Sequence, residues 1–420
     1  MSEKKANYDV FKGLLNDEQV NTLSSASLLS CVQARTCSDL GQANKHYVLH
    51  DGCDIRKPDS KAMEHIGKVM SLSKHVINGY QTMNSVVVNP DNQSVSLLCH
   101  EIYSNKLPAY IGQTTLNNSQ LMAELSDEKR AFFEANTHVN TKILYKKNLK
   151  KSSELLKSNP IVQSVCHCTD REFDDDEIYE YIDKELKDTF VTRLKADRKS
   201  HETFYPLTPT GKISKTPKNY KIFDKTFQNS SAYDIETLVI KGKKYQNIQS
   251  CIEWEALKIK NKTYTVVRIT LLDKGKAIFA QPMLLLTNEI VKTAQDAKQI
   301  YMTYLLRAKI EVVFKFLKQN LGWESFQVRD FNSIKNLLAL AFFLVGYFPE
   351  LEQELKAHPI ALKLCKLAKS KGKVTMHFLL LGLEMLANFQ AVNSWIKQND
   401  ISNEQVNDIL ALIAADNPIF

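Results

Sequence analysis

The order of strand-like and helix-like segments between residues 46 and 194 constrains this chain more than any other feature of its sequence. Three runs of β-forming residues come first, at 47–50, 80–88 and 94–102. A helix, a buried strand, a second helix and another strand follow, at 119–159, 161–168, about 173–186 and 189–194. Three strands followed by this alternation describe one mixed sheet with helices packed against it, so the sequence predicts an α/β fold.

This order fits an RNase-H-like core, although other α/β folds would also produce it. Changes of composition divide the rest of the chain, and a lysine-rich stretch with hairpin-like alternation interrupts the predicted core. The predicted regions are a short helical N-terminal segment (1–45), the first part of the core (46–196), a β-rich basic insertion (197–283), the second part of the core with a long helix at 293–320 (284–330), and a helical C-terminal region (331–420).

The composition excludes several classes of protein. With 13 Gly and 11 Pro in 420 residues, the chain is neither collagen-like nor of low complexity. The polar start lacks a signal-peptide core, and the longest apolar run, 337–348, is too short to cross a bilayer. Eight cysteines without framework spacing are typical of a reducing compartment. We therefore expect a cytoplasmic protein without a membrane partner, and its net charge of +8 permits a polyanionic one.

The predicted helix at 293–320 carries a stripe of functional side chains. At about 100° per residue, Tyr304, Arg307, Glu311 and Lys318 lie within about 60° of one another around the axis, beside an apolar face. Taken alone, this stripe favours an ordinary solvated ridge in which Arg307 and Glu311 form an i,i+4 ion pair. The alternative is a group of cations, a phenol and a carboxylate that act together.

Two aspartates at predicted strand ends change that balance. Asp51 follows the first strand and Asp170 follows the strand at 161–168, where a helix across the sheet could add Glu311. Three converging carboxylates keep their charges only when cations neutralise them. Hard divalent ions with oxygen ligands, Mg²⁺ or Mn²⁺, suit them, and two such ions about 4 Å apart would clamp an in-line phosphoryl displacement. Asp54 competes with Asp51, but we expect it on the turn and prefer Asp51.

At these residues the sequence resembles a known family. The segment Thr169-Asp170-Arg171-Glu172-Phe173-Asp174 is similar to the D-R-E-x-D element of DDE transposases of the insertion-sequence four group. The helix matches their Y-(2)-R-(3)-E-(6)-K signature at every spacing, through Tyr304, Arg307, Glu311 and Lys318. The strand at 48–54 resembles the one that delivers the first aspartate, and 284–287 resembles the strand after the β-rich insertion.

The resemblance implies a cut-and-paste DNA transposase with an RNase-H-like core. Asp51, Asp170 and Glu311 would be the catalytic metal ligands, for two Mg²⁺ or Mn²⁺ ions. The DNA-binding residues would be Tyr304, Arg307, Lys318 and Arg193. The substrates would be double-stranded transposon ends and target DNA, cut by hydrolysis and joined by attack of the freed 3′-hydroxyl, with a homodimer holding two ends. Relatives have a base-stacking tryptophan where this chain has Met283, so the resemblance leaves a hairpin intermediate open.

Several interpretations stay open beside this one. An inactive DNA-binding descendant and a recombination nuclease of the same fold would share the signature. The lysines of 212–244, interleaved with aromatic residues, suit both a DNA-binding surface and a solvated one. Cys166-His167-Cys168 invites a zinc site, but no second pair lies at zinc-site spacing, which favours buried small side chains.

Overall fold

The computed structural model describes residues 24–204, 218–240, 243–260, 262–356, 359–370, 374–398, 402 and 404. The chain forms two compact units, Met1–Phe343 and Leu344–Phe420. The helices are α1 Ser25–Ser38, α2 Gln113–Leu116, α3 Ser119–Ala123, α4 Asp127–Glu134, α5 Thr141–Lys157, α6 Asp176–Glu180, α7 Ala294–Leu305, α8 Ala308–Asn320, α9 Phe331–Lys356, α10 Pro359–Leu367 and α11 Met376–Gln398. The strands are β1 Lys45–Arg56, β2 Gly67–Met70, β3 Val76–Val88, β4 Val95–Tyr103, β5 Ser164–Thr169, β6 Thr189–Arg193, β7 Lys199–Phe204, β8 Lys218–Lys221, β9 Asn229–Ile240, β10 Lys243–Ile259, β11 Lys262–Asp273, β12 Lys276–Ala277 and β13 Met283–Thr287.

Eleven of these strands form one mixed sheet in the first unit. Its order is β2-β3-β1-β5-β6-β13-β11-β10-β9, with β4 beside β3 and β12 beside β11. The pairs β1–β5 and β5–β6 are parallel and the others are antiparallel. Helix α5 precedes β5, and α6 links β5 to β6, as a parallel connection requires. The predicted α/β class, with a mixed sheet and helical segments towards both ends, is confirmed.

The β-rich insertion extends the same sheet. Strand β11 pairs with β13 from Thr265↔Thr287 to Ile269↔Met283, and β13 pairs with β6. Strands β9 and β10 continue outward from β11, while β7 and β8 form a separate two-stranded sheet. A continuous backbone ladder therefore joins the insertion to the strands that precede and follow it.

The first strand is longer than the sequence pattern predicts. The prediction ended it before Asp51-Gly52, yet β1 continues to Arg56. Strand β3 pairs with β1 without interruption from Tyr47↔Val88 to Arg56↔Gly79, and this ladder outweighs the turn propensity of an Asp-Gly pair. Asp51 and Asp54 consequently both lie within the strand, and their odd separation places them on opposite faces. The expectation that Asp54 lies on a turn is wrong.

The predicted helix at 293–320 is two helices. Helix α7 ends at Leu305 and α8 begins at Ala308. Across the junction the backbone uses i→i−3 hydrogen bonds, from Arg307 N–H to the Tyr304 carbonyl at 3.0 Å and from Ile310 N–H to the Arg307 carbonyl at 3.1 Å. Such bonds tighten the turn, so Arg307 takes a different direction from the one that a continuous α-helix would give it.

Helix α5 covers one face of the sheet with an amphipathic pattern. Its Leu149, Ser152 and Leu156 are buried at spacings of three and four residues, while its lysines face outward. Beside them Tyr145 stacks on Phe173, with ring centroids 3.9 Å apart. This packing fixes the segment after β5, which includes Asp170, against the sheet.

The second unit is helical in its described part. Ala361, Leu364 and Cys365 of α10 pack on Leu379 of α11. Gly382 lets the helices approach closely, because a Cβ there would lie 2.3 Å from the Leu364 carbonyl oxygen. No helix within the described ranges is long and apolar enough to cross a membrane.

Gly79 allows β1 and β3 to pair at their far ends, which gives a test of the long β1. A Cβ at this position would lie 2.3 Å from the Ile55 carbonyl oxygen and 2.5 Å from Val69 Cγ2. We expect Gly79→Ala to lower the free energy of unfolding by about 2–3 kcal/mol, measured by urea denaturation. The control is Gly112→Ala, whose Cβ would lie 3.7 Å from the Tyr110 ring, and we expect a loss of about 1 kcal/mol or less there. Equal losses in the two variants would contradict the close approach.

Candidate active site

Asp51 lies in the middle of β1, opposite Asn84 of β3. Its side chain is largely buried, with 18% of its surface exposed. The neighbouring residue His50 points to the other face of the sheet, because side chains alternate along a strand. Asp51 therefore faces α8, and His50 faces the α5 side.

Asp170 follows β5 directly and begins a short 3₁₀ turn at Arg171–Phe173. Its Oδ1 accepts a hydrogen bond of 2.6 Å from the Arg171 N–H, which holds the carboxylate at the strand end. Strands β1 and β5 are parallel neighbours, so the sheet itself brings Asp170 towards Asp51. The parallel pair thus explains why acids more than a hundred residues apart in the chain come together.

One guanidinium joins the three predicted acids. Arg307 Nη1 lies 2.7 Å from Asp51 Oδ2, and its Nη2 lies 3.5 Å from Asp170 Oδ2 and 2.6 Å from Glu311 Oε1. Glu311 lies in the first turn of α8, one helical turn after Arg307, and its side chain is 58% exposed. The structure therefore brings Asp51, Asp170 and Glu311 to one place, around a single positive charge.

Burial and neighbouring charges make Asp51 an unusually weak acid. Burial raises the pKa of Asp51 to about 7, and the negative charges of Asp170 and Glu172 act in the same direction. Arg307 opposes them through its charge and its hydrogen bond. The acids in turn raise the pKa of Arg307, so the guanidinium stays charged. Near neutral pH the group of acids is thus close to a change of charge.

A fourth acid, Glu172, borders the site. Its Oε2 accepts a hydrogen bond of 3.1 Å from the Tyr145 hydroxyl. The same oxygen would lie 3.4 Å from a Cβ at residue 52, so Gly52 leaves room for the carboxylate beside β1. Glu172 lies within the segment 169–174, and the sequence pattern predicted no role for it.

Tyr304 and Arg193 lie near the acids. Tyr304 is 5% exposed, and burial raises the pKa of its hydroxyl, with the charge of Asp170 adding to the effect. The cations Arg307 and Arg193 oppose that shift. Arg193 ends β6 opposite Leu285 of β13. Two of the predicted DNA-binding residues therefore border the acids from the α7 and β6 sides.

Lys318 lies at a different point on the same helix. Its Nζ donates to the Asp54 carbonyl oxygen at 2.7 Å and to Glu324 Oε1 at 3.0 Å. Glu324 Oε1 also accepts the Arg56 N–H at 3.0 Å. Lys318 thus ties the end of β1 to α8. Its contacts are with Asp54 and Glu324, not with the three acids that Arg307 joins.

A buried polar chain that sequence reasoning missed runs beneath the acids. His50 Nδ1 lies 2.8 Å from Ser85 Oγ, His50 Nε2 lies 2.9 Å from His167 Nδ1, and His167 Nε2 lies 3.1 Å from Asp188 Oδ2. Lys157 closes the chain at 2.6 Å from Asp188 Oδ1. It connects β3, β1 and β5 with the start of β6. The predicted alternation at 166–168 already placed His167 on the opposite side from two buried cysteines, and that was the only signal in the sequence.

The charge of Asp188 sets the direction of the hydrogen bond that it forms with His167. Burial holds the pKa of His50 well below its usual range, and the hydrogen bond from His167 is the largest of the favourable interactions that hold the pKa of Asp188 low against its own burial. Asp188 is therefore an ionised acceptor, and His167 donates through Nε2. His50 continues the chain, with its Nε2 beside His167 Nδ1 and its Nδ1 beside Ser85 Oγ. Every member has a partner, so the chain stabilises the spacing of β1 and β5.

The chemistry of the acids, rather than their present spacing, fits a divalent ion. Within the described ranges, no three His, Cys, Asp or Glu side chains lie close enough together to hold one ion. The spacing of Asp51, Asp170 and Glu311 matches the Arg307 guanidinium between them. Their type and direction fit Mg²⁺ or Mn²⁺, since three carboxylates point at one positive charge. The expected basic surface at 212–244 lies partly outside the described residues, which do not include Lys212, Lys215 or Lys241.

Part of this chain is similar to a known protein family. The family model for the transposase DDE domain matches residues 154–345, a little less than half of the chain. The match includes Asp170, Arg193 and the Tyr304–Lys318 segment, and Asp51 precedes it. No curated protein gives a significant match. The family match supports a DDE transposase, a class of enzyme that acts on DNA, and it implies that the mixed sheet has an RNase-H-like core.

The raised pKa of Asp51 predicts how the free energy of unfolding depends on pH in the absence of divalent ions. The pKa of Asp51 is about 7 in the folded protein, against an ordinary value of 3.8 in the unfolded chain. Between pH 3.8 and pH 7 the folded state therefore binds a proton that the unfolded chain has released. Stability therefore falls as pH rises through this window. From about pH 5 to about pH 7.5, we expect the wild type to lose about 2 kcal/mol more than Asp51→Asn, measured by urea denaturation.

Glu128→Gln is the control, because it removes an exposed acid of α4 and should leave the pH dependence unchanged. A wild-type slope equal to that of Asp51→Asn would show that Asp51 ionises normally.

The polar chain predicts unequal effects at Asp188. Asp188→Ala removes the acceptor of His167 and Ser153 and the counter-charge of Lys157, and we expect it to lower the free energy of unfolding by about 3–5 kcal/mol. In Asp188→Asn the amide oxygen can still accept from His167 Nε2–H, so we expect about half that loss, measured by urea denaturation. Equal losses would mean that the hydrogen bond to His167 contributes nothing.

Proposed function

We propose that this protein is a cut-and-paste DNA transposase. In this proposal Asp51, Asp170 and Glu311 are the catalytic acids, which act in hydrolysis at transposon ends and then in 3′-hydroxyl strand transfer into target DNA. The observation that carries it is the meeting of all three acids around Arg307. The family match to residues 154–345 supports the same reaction class.

The three acids would hold Mg²⁺ or Mn²⁺, two ions by analogy with the family. When bound, such ions supply Lewis acidity and an activated water for attack on a phosphodiester. The protein's own part is to present the carboxylates from two parallel strands and a helix that the sheet holds rigidly. The buried chain from Ser85 to Asp188 supports this part by linking the strands beneath the acids.

Arg307 has a second task in this proposal. A guanidinium forms bidentate contacts with phosphate as readily as with carboxylate. A DNA phosphate that enters the site competes with the acids for Arg307, and Arg193 and Tyr304 add a cation and a hydroxyl donor close by. DNA backbone contacts of this kind position the duplex without reading its sequence.

Lys318 is assigned to DNA through the family signature, and its contacts offer a further role. By joining the Asp54 carbonyl to Glu324, it aligns α8 with β1. Both roles place Lys318 in the same assembly, one through phosphate and one through the position of Glu311.

The proposal includes partners and a location. Both transposon ends and the target are double-stranded DNA, and we infer a homodimer that holds two ends in the bacterial cytoplasm, without a membrane partner. The net charge of +8 supports a polyanionic partner.

One observation favours an alternative, a DNA-binding descendant without cleavage. The acids are spaced around a guanidinium, and within the described ranges no group of three is close enough for one ion. In such a protein the Arg307 cluster would be a permanent structural ion-pair network. A recombination nuclease of the same fold would instead cut without joining.

Cleavage of duplex DNA that carries the sequences flanking the gene tests the proposal. With Mg²⁺ or Mn²⁺ we expect the wild type to cut at the element's ends, and Glu311→Gln to cut at least about a hundredfold more slowly, since one of the acids that hold the metal is lost. Glu128→Gln, the exposed-acid control, should cut at the wild-type rate. Equal cleavage by wild type and Glu311→Gln would refute the catalytic assignment.

Two further outcomes separate the alternatives. DNA binding without cleavage by the wild type would support the inactive descendant. Cleavage without joining of a pre-cut end to a second duplex would support the recombination nuclease.

A further inference from the structure

The hairpin formed by β2 and β3 ends in exposed aliphatic side chains. Met70, Leu72 and Val76 are 51%, 87% and 65% exposed. Met70 lies directly opposite Val76 in the ladder, and Leu72 lies in the turn between them. Three such residues together on one narrow tip form an apolar point that the described part of the chain leaves uncovered.

This tip is rigidly built. Ser71 N–H donates to the His75 carbonyl at 2.8 Å, and Ser71 Oγ accepts the His75 N–H at 2.9 Å. Lys74 takes the left-handed conformation, with φ of 64°, and donates its N–H to the Ser71 carbonyl. These bonds close the turn from inside, so Leu72 projects from a fixed backbone.

The base of the hairpin is braced against β1. Arg56 Nε donates to the Met70 carbonyl at 3.1 Å, and the Asp54 carboxylate accepts a backbone hydrogen bond from Met70. Gly79 brings β3 against Ile55 at the same end. A tip on such a base can press against a partner without folding back.

The charges around the tip select the partner. Between residues 67 and 79 there is no Asp or Glu, while Lys68, Lys74 and His75 are all exposed. Lys74 forms no ion pair with any residue that the structure describes. Cations beside an exposed Leu and Met match a polyanion with an apolar interior, which is the chemistry of duplex DNA.

We propose that the β2–β3 hairpin is a wedge that inserts Leu72 between base pairs of duplex DNA and bends it. Proteins that kink DNA insert Leu or Met between base steps in this way, while cations hold the flanking phosphates. Along β3, eight residues separate Val76 from Asn84, the partner of Asp51, which is about 27 Å or about eight base pairs of duplex. The wedge therefore acts on DNA away from the cut, and it rests on the proposed function for its substrate.

Ligase-driven circularisation of a linear duplex tests the wedge. A duplex of about 120 base pairs is shorter than the persistence length of about 150, so it closes into circles efficiently only when a protein bends it. All proteins carry Glu311→Gln, so that the duplex stays uncut in the Mg²⁺ that ligase requires. DNA affinity is measured for each protein, and circle yields are compared at equal occupancy.

We expect Leu72→Ala to lower the circle yield at least about threefold while DNA affinity stays within about twofold, because the apolar insertion is lost and the cations remain. Ile290→Ala, which truncates another aliphatic residue that is 78% exposed, is the control and should leave the yield unchanged.

Three results would overturn the wedge. An unchanged circle yield in Leu72→Ala would show that the tip does not bend DNA, with the proposed transposase function unaffected. A changed oligomeric state in sedimentation, with unchanged circles, would make the tip an interface between copies of this chain. Absence of DNA binding by every protein would overturn the wedge and the proposed function together.

Discussion

The contact of one guanidinium with three carboxylates governs the site. Three acids at this separation repel one another, and Asp51 is too buried for water to screen its charge. Arg307 supplies the balancing charge from within the same chain, through Nη1 to one acid and Nη2 to the other two. The network links β1, β5 and α8 through ion pairs and hydrogen bonds, in addition to the backbone ladder that pairs the two strands. The charge of Arg307 therefore offsets the repulsion where these acids meet.

The sheet and the buried histidines make this arrangement possible. Parallel pairing of β1 with β5 sets Asp51 beside Asp170, and the polar chain on the other face gives those strands further fixed points. A buried polar network stabilises one geometry only when all its members are satisfied. In this protein an ionised Asp188 at one end satisfies His167, and Ser85 satisfies His50 at the other end.

Local pattern was enough to predict the class of fold and to select residues that meet in space, but it failed where tertiary pairing decides. The order of strands and helices predicted the mixed sheet, and the spacing from Tyr304 to Glu311 indicated a common face. The end of β1 was wrong because pairing with β3 is invisible in β1 itself. The sequence around the helix break at Arg307 contains no Gly or Pro that would have predicted the break. His50, His167 and Asp188 are far apart in the chain, so no local pattern could show that they touch.

The strand β13 belongs equally to the core and to the insertion, since it forms one ladder with β6 and another with β11. An insertion attached by two flexible linkers can rotate relative to its core. An insertion whose strands pair with the core sheet can move only when that sheet bends. A nucleic acid gripped by β9, β10 or β11 would thus keep a set orientation towards Arg193, which ends β6. The geometry of such a complex would be set by the folded chain itself.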